Sequence, residues 1–465
     1  MKSLLFLEDK EKIADVFGID ELKLKEFILG VTYMDSEGRD YVYEVLSKPL
    51  KDLSLIERRQ KLVHDFCENQ IPFDKMYRSF KNFMQLRREI TEKRRRFGNL
   101  TRERGVFLFN LKIDRMKNEV DYFTKIYESL NEIEKLFTFR ITSPDLQAFI
   151  DSIKTINSYM RTFIGNVGRD LLASVTEEFN PDVFVEIDRI YDISVSEICG
   201  MNHNKPAGFK AADSSVSDLV IMGVDRMYKK LYNINNHLTT VFLDVSKELQ
   251  FYNFAIEYYK CFTRYNVECT FPTFTEGPIS ARRLHDPLLA SSLIRQSTDA
   301  QIEVIRIVSN NISELSSCII TGDNNNGKST FQRSIVLSNL LAQCGLYVPG
   351  VSVKFNVNDS FVLCFAGWDK EDSFGRFENE VIKTAEAFKY AGPNSLVVFN
   401  EIFQSTAYDE ATEALDSILK ALLCEKCKFI CVTHLLKLTE SFQDYSQVQH
   451  IGVTRDHVAS VIEGA

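Results

Sequence analysis

The feature that most constrains this chain is the loop Gly322–Ser329, of sequence GDNNNGKS. It fits the phosphate-binding pattern G-x-x-x-x-G-K-[ST]. Residues 317–321, directly before it, form a short β-branched run, and residues near 329–345 have the apolar spacing of a helix. A buried strand that enters such a loop and a helix that leaves it are the context in which this pattern binds phosphate.

Each part of the loop has a physical task. Glycines let the backbone approach a phosphate, and the N–H groups of Asn324 to Lys328 supply partial positive charge with the helix N-terminus. Lys328 would reach the β- and γ-phosphates of ATP, and the Ser329 hydroxyl would bind Mg²⁺. The candidate nucleotide-binding residues are Gly322, Asp323, Asn324, Asn325, Asn326, Gly327, Lys328, Ser329 and Thr330.

A second apolar run, 395–399, ends in Asn400 and Glu401, about 70 residues after the loop. The second nucleotide motif of such proteins ends in two acids, the first of which serves the magnesium shell. Asn400 would give a weaker contact to Mg²⁺ through water, and Glu401 would polarise or deprotonate the attacking water. A third run, 429–433, ends in His434, which would sense the γ-phosphate. The candidate catalytic residues are Glu401, Lys328 and His434.

The spacing of the apolar residues changes along the chain. From about residue 45 to 262 the apolar residues follow helical spacing, with helices expected over 216–238 and 241–262 and a loop-like interval over 200–215. After about residue 268, short β-branched runs alternate with helical stretches, which predicts a largely parallel sheet. We therefore predict an α-helical domain over 1–262 and an α/β domain over 263–465. Periodicity alone fits an elongated helical domain and a compact bundle equally well.

Composition excludes several classes of protein. The formal charge is −9, so a bulk basic surface for nucleic acid is absent. A local basic run from Arg87 to Arg104 has eight basic residues against three acids, and its candidates for DNA phosphates are Arg94, Arg95 and Arg96. A solvated helix face explains this run equally well. Ten scattered cysteines, no signal-peptide pattern and no long apolar run predict a cytoplasmic protein with reduced thiols and no membrane partner.

These motifs together resemble the MutS family, the ATPases of DNA mismatch repair and recombination. Thr321–Phe331 is similar to the family's T-G-P-N-x-x-G-K-S-T-[YF], and GLYVPG at 345–350 is similar to its phrase of Gly, an aromatic residue, Val-Pro and a small residue. Asn400–Ile402 with Thr406–Asp409 resembles D-E-I…S-T-Y-D with one residue fewer. Thr433–His434 resembles A-T-H.

Two more stretches extend the resemblance to roughly residues 40 to 455. Leu284–Leu289 is similar to the family's H-P-hydrophobic segment with an extra Asp, and 49–63 resembles the P-L-x-D…I-x-x-R start of its core domain. The resemblance implies an α + α/β protein, an elongated α-helical core/lever domain followed by a P-loop (ABC-type) ATPase domain. Because the chain begins near the core domain, we expect a small MutS-like protein without the mismatch-recognition domain.

The family's S-T-F-x-x-E signature appears here as Gly375–Glu380, with Gly at the Ser position. In the family this Ser touches the nucleotide of a second ATPase domain, so the resemblance implies a homodimer. Gly375 keeps the backbone N–H but loses the hydroxyl, and Arg376, followed by Phe377, would supply positive charge in trans. The family's adenine-contacting loop falls around Ile307, which has no aromatic ring to stack on the base.

The resemblance implies that ATP with Mg²⁺ closes two ATPase domains and swings the lever helices, which forms a clamp, with DNA as the expected partner. Asn400 predicts slow hydrolysis, and Glu401 predicts that hydrolysis persists. Two other functions stay open. One is a nucleotide-gated binding module with little hydrolysis that acts on a protein partner, and the other is a structural interaction protein that binds no DNA.

Overall fold

The computed structural model describes residues 3–98, 106–138, 140–167, 214–296, 309–366, 376–454 and 459–461. These residues divide into two compact units. The first unit takes those within 69–249, and the second takes those within 3–68 and 250–465. The first is helical, and the second combines helices with sheets, so the predicted α + α/β class is confirmed.

The α-helices of the described residues range from one turn to more than ten. In chain order they are α1 Leu24–Val31, α2 Ser36–Leu46, α3 Leu53–Glu68, α4 Gln70–Gly98, α5 Val106–Leu136, α6 Pro144–Val167, α7 Ser214–Arg264, α8 Pro287–Gln296, α9 Lys328–Gln343, α10 Arg376–Ala387, α11 Tyr408–Cys424 and α12 Lys437–Ser441. Short 3₁₀ helices lie at Lys10–Lys12, Ile19–Leu22 and Phe388–Tyr390.

The strands of the described residues are short. In chain order they are β1 Asp15–Phe17, β2 Cys269–Thr270, β3 Thr273–Phe274, β4 Ile279–His285, β5 Ser309–Leu315, β6 Ser317–Thr321, β7 Val348–Pro349, β8 Ser352–Phe355, β9 Ser360–Phe365, β10 Ser395–Asn400, β11 Lys428–Val432, β12 Val448–Val453 and β13 Ala459–Val461.

In the first unit α4 packs on α5, and α5 packs on α6. Aromatic side chains fill the core between helices: Phe80 and Phe83 both contact Phe242 of α7, with ring centroids 5.8 and 4.9 Å apart. The helices predicted over 216–238 and 241–262 are one helix, α7. Thr239 and Thr240, between them, are weak helix formers, but neither Gly nor Pro interrupts the chain there. The predicted loop at 200–215 lies outside the described residues apart from its last two.

In the second unit, seven strands of the described residues form one sheet in the order β1-β9-β10-β11-β6-β12-β13. Neighbouring strands in this sheet run parallel, except that β12 and β13 are antiparallel to each other. Register places Asn400 opposite Val432 and Val432 opposite Ile320, so β10, β11 and β6 end at one edge of the sheet. In parallel α/β sheets the carboxyl edge is where ligands bind. The strands predicted at 317–321, 395–399 and 429–433 are therefore confirmed, with shifts of one residue at some ends.

Helix α9 is buried on almost every side. It begins directly after the phosphate-binding loop and contacts β11, β4 and β7 as well as α8. On the sheet itself an apolar cluster, which includes Phe399, Phe429 and Leu419, joins β10 and β11 to α11. The loop thus lies between a strand and a helix, and tight packing fixes both of these elements in place.

The two compact units differ from the predicted domains, 1–262 and 263–465. Residues 3–68 and 250–262 belong to the second unit, and β1 is a strand of its sheet, paired with β9 from Asp15↔Ser360 to Phe17↔Val362. Residues 3–68 contain the helices α1, α2 and α3 as well as this strand. A three-residue strand has too few positions to show a period in the sequence.

None of the helices in the described residues is both long and apolar enough to cross a membrane.

Candidate functional site

The loop 322–327 connects β6 to α9, and its backbone requires both glycines of the motif. Gly322 has a φ of +144°, and a Cβ there would lie 2.6 Å from the carbonyl oxygen of Val453. Gly327, at the N-cap of α9, has a φ of +96°. Any other side chain would be strained at these positions. The Asn326 side chain also ties the loop to the end of β12, because its Nδ2 donates to the Val453 carbonyl at 3.1 Å.

Lys328 is the first residue of α9, and it is only 5% exposed. Its Nζ donates to the carbonyl oxygens of Gly322, at 2.7 Å, and Asp323, at 3.1 Å. The Glu401 carboxylate lies 3.7 Å from the same nitrogen. An ammonium has three donors. Two are directed at the loop backbone, so the cation is fixed beside the loop with a nearby carboxylate to balance its charge.

Ser329 and Asn400 meet where α9 begins and β10 ends. The Ser329 Oγ donates to Asn400 Oδ1 at 3.2 Å. Hydroxyl and amide oxygens are hard donors of the kind that Mg²⁺ accepts, usually with several waters retained. These two oxygens fit a magnesium ion that is bound mainly through phosphate and water. Within the described part of the chain, no group of three or more His, Cys, Asp or Glu side chains is arranged to hold a metal.

Glu401 follows β10 directly and has a φ of +56°, which is uncommon for this residue type. Its backbone N–H donates to the Val432 carbonyl at 2.9 Å, so the neighbouring strand β11 holds this conformation. His434, two residues beyond β11, lies with Nε2 2.7 Å from Glu401 Oε1. Strained backbone is often found at functional sites. Here it directs the carboxylate towards both Lys328 and His434.

Two clefts border the loop. The larger, of about 810 Å³, is lined by residues that include Asp286, Asn324, Gly327, Lys328, Ser329 and Glu401. This volume is in the range of small-molecule and cofactor sites. The second, of about 590 Å³, lies against Gly322, Asp323, Thr433 and His434. His434 therefore lines the second cleft, whereas its partner Glu401 lines the first.

The larger cleft is lined in part by Asp286, which the sequence did not predict as a site residue. Asp286 follows β4, its side chain is 1% exposed, and its Oδ2 accepts from Arg333 Nε of α9 at 2.8 Å. Its Oδ1 accepts from the Leu288 backbone N–H at the start of α8. Burial raises the pKa of Asp286, and the Arg333 guanidinium opposes that rise. Asp286 was visible in the sequence only as an insertion in a resembling segment, and nothing there linked it to Arg333.

The signature segment is described only in part. Gly375 lies outside the described residues, as does Ile307 of the expected adenine loop, and of Arg376 only the backbone, at the start of α10, is described. Phe377 contacts Phe403 with ring centroids 5.6 Å apart. Glu380, on the same helix, accepts from the Phe403 backbone N–H at 2.7 Å. These contacts fasten α10 to the segment that follows Glu401.

The basic run contains one residue that the structure removes from the DNA candidates. Arg94 is 19% exposed and pairs with Glu119, which is 1% exposed, through Nε at 2.7 Å. Its Nη1 donates to Asn236 Oδ1 at 2.7 Å, and its guanidinium lies over the Tyr232 ring. Arg94 thus serves the packing of α4, α5 and α7 and has few donors left for phosphate. Arg95 and Arg96 are exposed, and Arg96 also pairs with Glu92 one turn away.

Comparison with known proteins finds similarity in the α/β part of the chain. Residues 318–463 match the family described as MutS domain V. A DNA mismatch repair protein MutS from Caulobacter vibrioides is 37% identical over 122 residues, which are 26% of this chain and 14% of that protein. One from Lactobacillus delbrueckii subsp. bulgaricus is 33% identical over 143 residues, 30% of this chain and 17% of that protein. The DNA mismatch repair protein msh3 of Botryotinia fuckeliana is 28% identical over 138 residues, 29% of this chain and 12% of that protein.

Proposed function

We propose that this chain, whose residues 318–463 match MutS domain V, is a MutS-family protein that binds ATP with Mg²⁺ and hydrolyses the nucleotide slowly. In this proposal the ATPase chemistry lies in residues 263–465, as a P-loop domain of the ABC type, and residues 1–262 supply the core and lever. Nucleotide state would control closure of a homodimer on DNA during repair or recombination. The matched stretch spans less than a fifth of each relative. DNA binding is therefore proposed also on the exposed basic residues Arg95 and Arg96 of this chain.

One observation carries the ATPase proposal: Ser329 contacts Asn400 beside the Lys328–Glu401 pair. Lys328 and Ser329 lie at the start of α9. Asn400 ends β10, and Glu401 follows it directly. A buried strand that merely ends in a surface Asn-Glu turn does not require Asn400 to contact Ser329 or Glu401 to lie 3.7 Å from Lys328. Phosphoryl transfer does need a cation, a metal ligand and a water-orienting group in that arrangement.

Each side chain then has a defined part. Backbone amides of Asn324 to Lys328 bind the phosphates, and Lys328 neutralises charge that develops on the γ-phosphoryl group. Ser329 would hold Mg²⁺ directly, and Asn400 would hold it through water. The metal, when bound, supplies charge neutralisation at the phosphate oxygens. Glu401 orients the attacking water and accepts its proton, and His434 senses the γ-phosphate from the side of the second cleft.

Turnover is proposed to be slow because Asn400 brings no negative charge to the magnesium shell. The second copy of the chain completes the site in this proposal, with the Gly375 N–H and Arg376 of one copy facing the nucleotide of the other, whereas the expected contact of Phe377 is corrected to packing on Phe403 of its own chain. Arg376→Ala should therefore reduce both ATP turnover and ATP-dependent dimerisation. Unchanged values for both would remove Arg376 from the site.

The test of the proposed ATPase is steady-state ATP hydrolysis by the full chain, with and without duplex and branched DNA, beside Glu401→Ala. Glu413→Ala, an exposed glutamate on α11, serves as the matched control. Slow turnover that DNA alters, that Glu401→Ala abolishes and that Glu413→Ala leaves unchanged is the expected result. Turnover that survives Glu401→Ala would point to a contaminating activity or a different site.

DNA binding is tested by gel-shift titration over a range of salt concentrations. If Arg95 and Arg96 contact phosphates, replacing both by Ala should lower the slope of log affinity against log salt by about two units. A flat salt dependence of the unmodified chain would instead favour a protein partner.

One observation favours a second function. Asn400, whose amide oxygen accepts from Ser329 Oγ at 3.2 Å, is neutral. It brings no negative charge to the metal position, and this weakens hydrolysis without affecting phosphate binding by the loop. A nucleotide-gated module with little hydrolysis, acting on a protein partner, fits this feature. Stoichiometric ATP binding without measurable turnover would favour this function over the slow ATPase.

A further inference from the structure

Gln332 is a buried amide between the loop helix and the sheet. It lies on α9 and is 1% exposed. Its Nε2 donates to two backbone carbonyls, that of Phe399 on β10 at 2.8 Å and that of Ile430 on β11 at 3.2 Å. The single amide thereby fastens α9 to two neighbouring strands, near the ends where Glu401 and His434 emerge.

The orientation of this amide follows from its surroundings. Both facing groups are carbonyl oxygens, which only accept, so the NH₂ end must point at them. The other end, Oε1, is buried and has no hydrogen-bond partner among the described residues. Burying an oxygen without a partner costs free energy and offsets what the two donated bonds contribute. An apolar side chain of similar shape would pack there at little or no loss of stability, so stability alone does not explain the amide.

Its position relative to the site gives another explanation. Gln332 follows Ser329 by three residues on α9, so the two side chains lie on the same face of the helix. Ser329 contacts the Asn400 side chain, and Gln332 contacts the carbonyl of the peptide that joins Phe399 to Asn400. The helix therefore holds the end of β10 at two successive points. Through Ile430 it also holds β11, whose Val432 carbonyl accepts the Glu401 N–H.

We propose that Gln332 is a positioning residue that sets the distance of Asn400 and Glu401 from Ser329 and Lys328, and thereby the affinity of the nucleotide site for Mg²⁺. The inference rests on the proposed function, because it concerns the metal and nucleotide of that site. Gln332 touches neither of them. It acts through the Phe399–Asn400 peptide, as residues behind metal ligands do when they fix ligand orientation.

The test replaces Gln332 by Met, which keeps length and helix propensity but removes the donor. ATP binding by the full chain is measured by calorimetry, first without divalent ions and then over a range of Mg²⁺ concentrations. Gln332→Met should leave metal-free ATP binding unchanged and raise the Mg²⁺ concentration at half-maximal enhancement by about tenfold, the size of effect seen when partners of metal ligands are lost. The thermal midpoint should change little.

Gln343→Met is the matched control. Gln343 is also a buried amide on α9 that donates to two backbone carbonyls, those of Leu50 at 2.8 Å and Asn358 at 2.9 Å. It lies eleven residues further on, about 16 Å along the helix axis from Gln332. Unlike Gln332, its Oε1 also accepts from the Asn358 N–H at 2.8 Å, so its replacement should lower the thermal midpoint and leave the Mg²⁺ dependence of ATP binding unchanged. A general loosening of α9 would shift the Mg²⁺ dependence in both variants and would contradict the positioning role.

The outcomes separate the two proposals. If the unmodified chain binds no ATP at any Mg²⁺ concentration, the proposed function fails and this inference fails with it. If the unmodified chain shows Mg²⁺-dependent binding and Gln332→Met shows the same dependence, only the role of Gln332 is overturned. Gln332→Leu, which removes the donor with a different shape, repeats the measurement should Gln332→Met not fold, and it must give the same shift.

Discussion

His434 Nε2 lies 2.7 Å from Glu401 Oε1, and the same carboxylate oxygen lies 3.7 Å from Lys328 Nζ. The imidazole and the ammonium come from different elements, one from beyond β11 and the other from the start of α9. Glu401 is therefore held from two sides in one orientation. Orientation of a water-directing group matters because a small misplacement of a reacting group costs much of the rate.

We expect His434→Ala to slow single-turnover ATP hydrolysis by about tenfold, because the Glu401 carboxylate loses one of its two contacts and its fixed direction. The affinity for ATP, which depends on the loop, should stay within twofold of the original. A twofold change corresponds to roughly 0.4 kcal/mol of binding free energy. His237→Ala, at an exposed position of α7, is the control. An unchanged rate in His434→Ala would show that its contact with Glu401 has no part in turnover.

Asn400→Asp tests the weakened metal contact. The new carboxylate would lie where the amide oxygen now lies, 3.2 Å from Ser329 Oγ, and would add a negative charge to the magnesium shell. We expect turnover to rise by about tenfold, equivalent to roughly 1.4 kcal/mol off the barrier. The Mg²⁺ concentration for half-maximal activity should fall in the same variant. Steady-state hydrolysis over a Mg²⁺ range measures both, and a lower rate would mean that Asn400 does not occupy the metal position.

The parts of the site that sequence could predict are those encoded locally. Gly322, Gly327, Lys328 and Ser329 lie within one loop, and the strand before it and the helix after it have their own apolar patterns. Glu401 follows an apolar strand in the same way. Parallel strands of one sheet end at one edge, so the meeting of these residues could be expected before any distance was known.

The parts that sequence could not predict depend on pairing between distant segments. Asp286 and Arg333 are 47 residues apart, and neither has a local signal that names its partner. Arg94 lies in a basic run whose members look alike, and only Glu119, 25 residues later, distinguishes it by pairing with it inside the helical unit. Strand β1 joins the main sheet through long-range backbone hydrogen bonds to β9, and no alternation of apolar and polar residues predicts this pairing.

The Asp286–Arg333 pair gives a prediction about stability. Asp286→Asn keeps an oxygen for the Leu288 N–H but leaves the Arg333 guanidinium without its counter-charge. Removing one partner of a buried pair is strongly destabilising, so we expect the free energy of unfolding to fall by about 3 kcal/mol. Replacing both residues with apolar ones of similar volume should restore part of the loss, because no uncompensated charge is then buried.

Urea unfolding of the single and double variants measures this difference. The exposed pair Lys437–Asp409, with an N–O distance of 2.6 Å, provides the control. Asp409→Asn should hardly move the unfolding midpoint, since exposed ion pairs contribute little. Equal losses for Asp286→Asn and Asp409→Asn would mean that the Asp286 site is hydrated in solution.

Glu21 gives a prediction about pH. It lies in the 3₁₀ helix Ile19–Leu22 and is half-buried. Burial, and then the charge of Asp20, raise its pKa from 4.5 to about 7, while Lys23 and Lys383 oppose the rise. An acid with a higher pKa in the folded chain keeps its proton longer there than in the unfolded chain. The stability that this group contributes is therefore complete below pH 4.5, is lost as pH rises to about 7, and is constant above that.

Glu21→Gln carries no charge at any pH and should abolish that part of the pH dependence. At pH 8, the variant should melt about 2 °C higher than the original, a small gain because solvent screens a half-exposed carboxylate. At pH 4 the two should melt together, since both side chains are then neutral. Thermal unfolding from pH 4 to pH 8 measures the difference, with the exposed Glu26→Gln as the control. A gap between original and variant that does not grow with pH would show that folding leaves the pKa of Glu21 at its ordinary value.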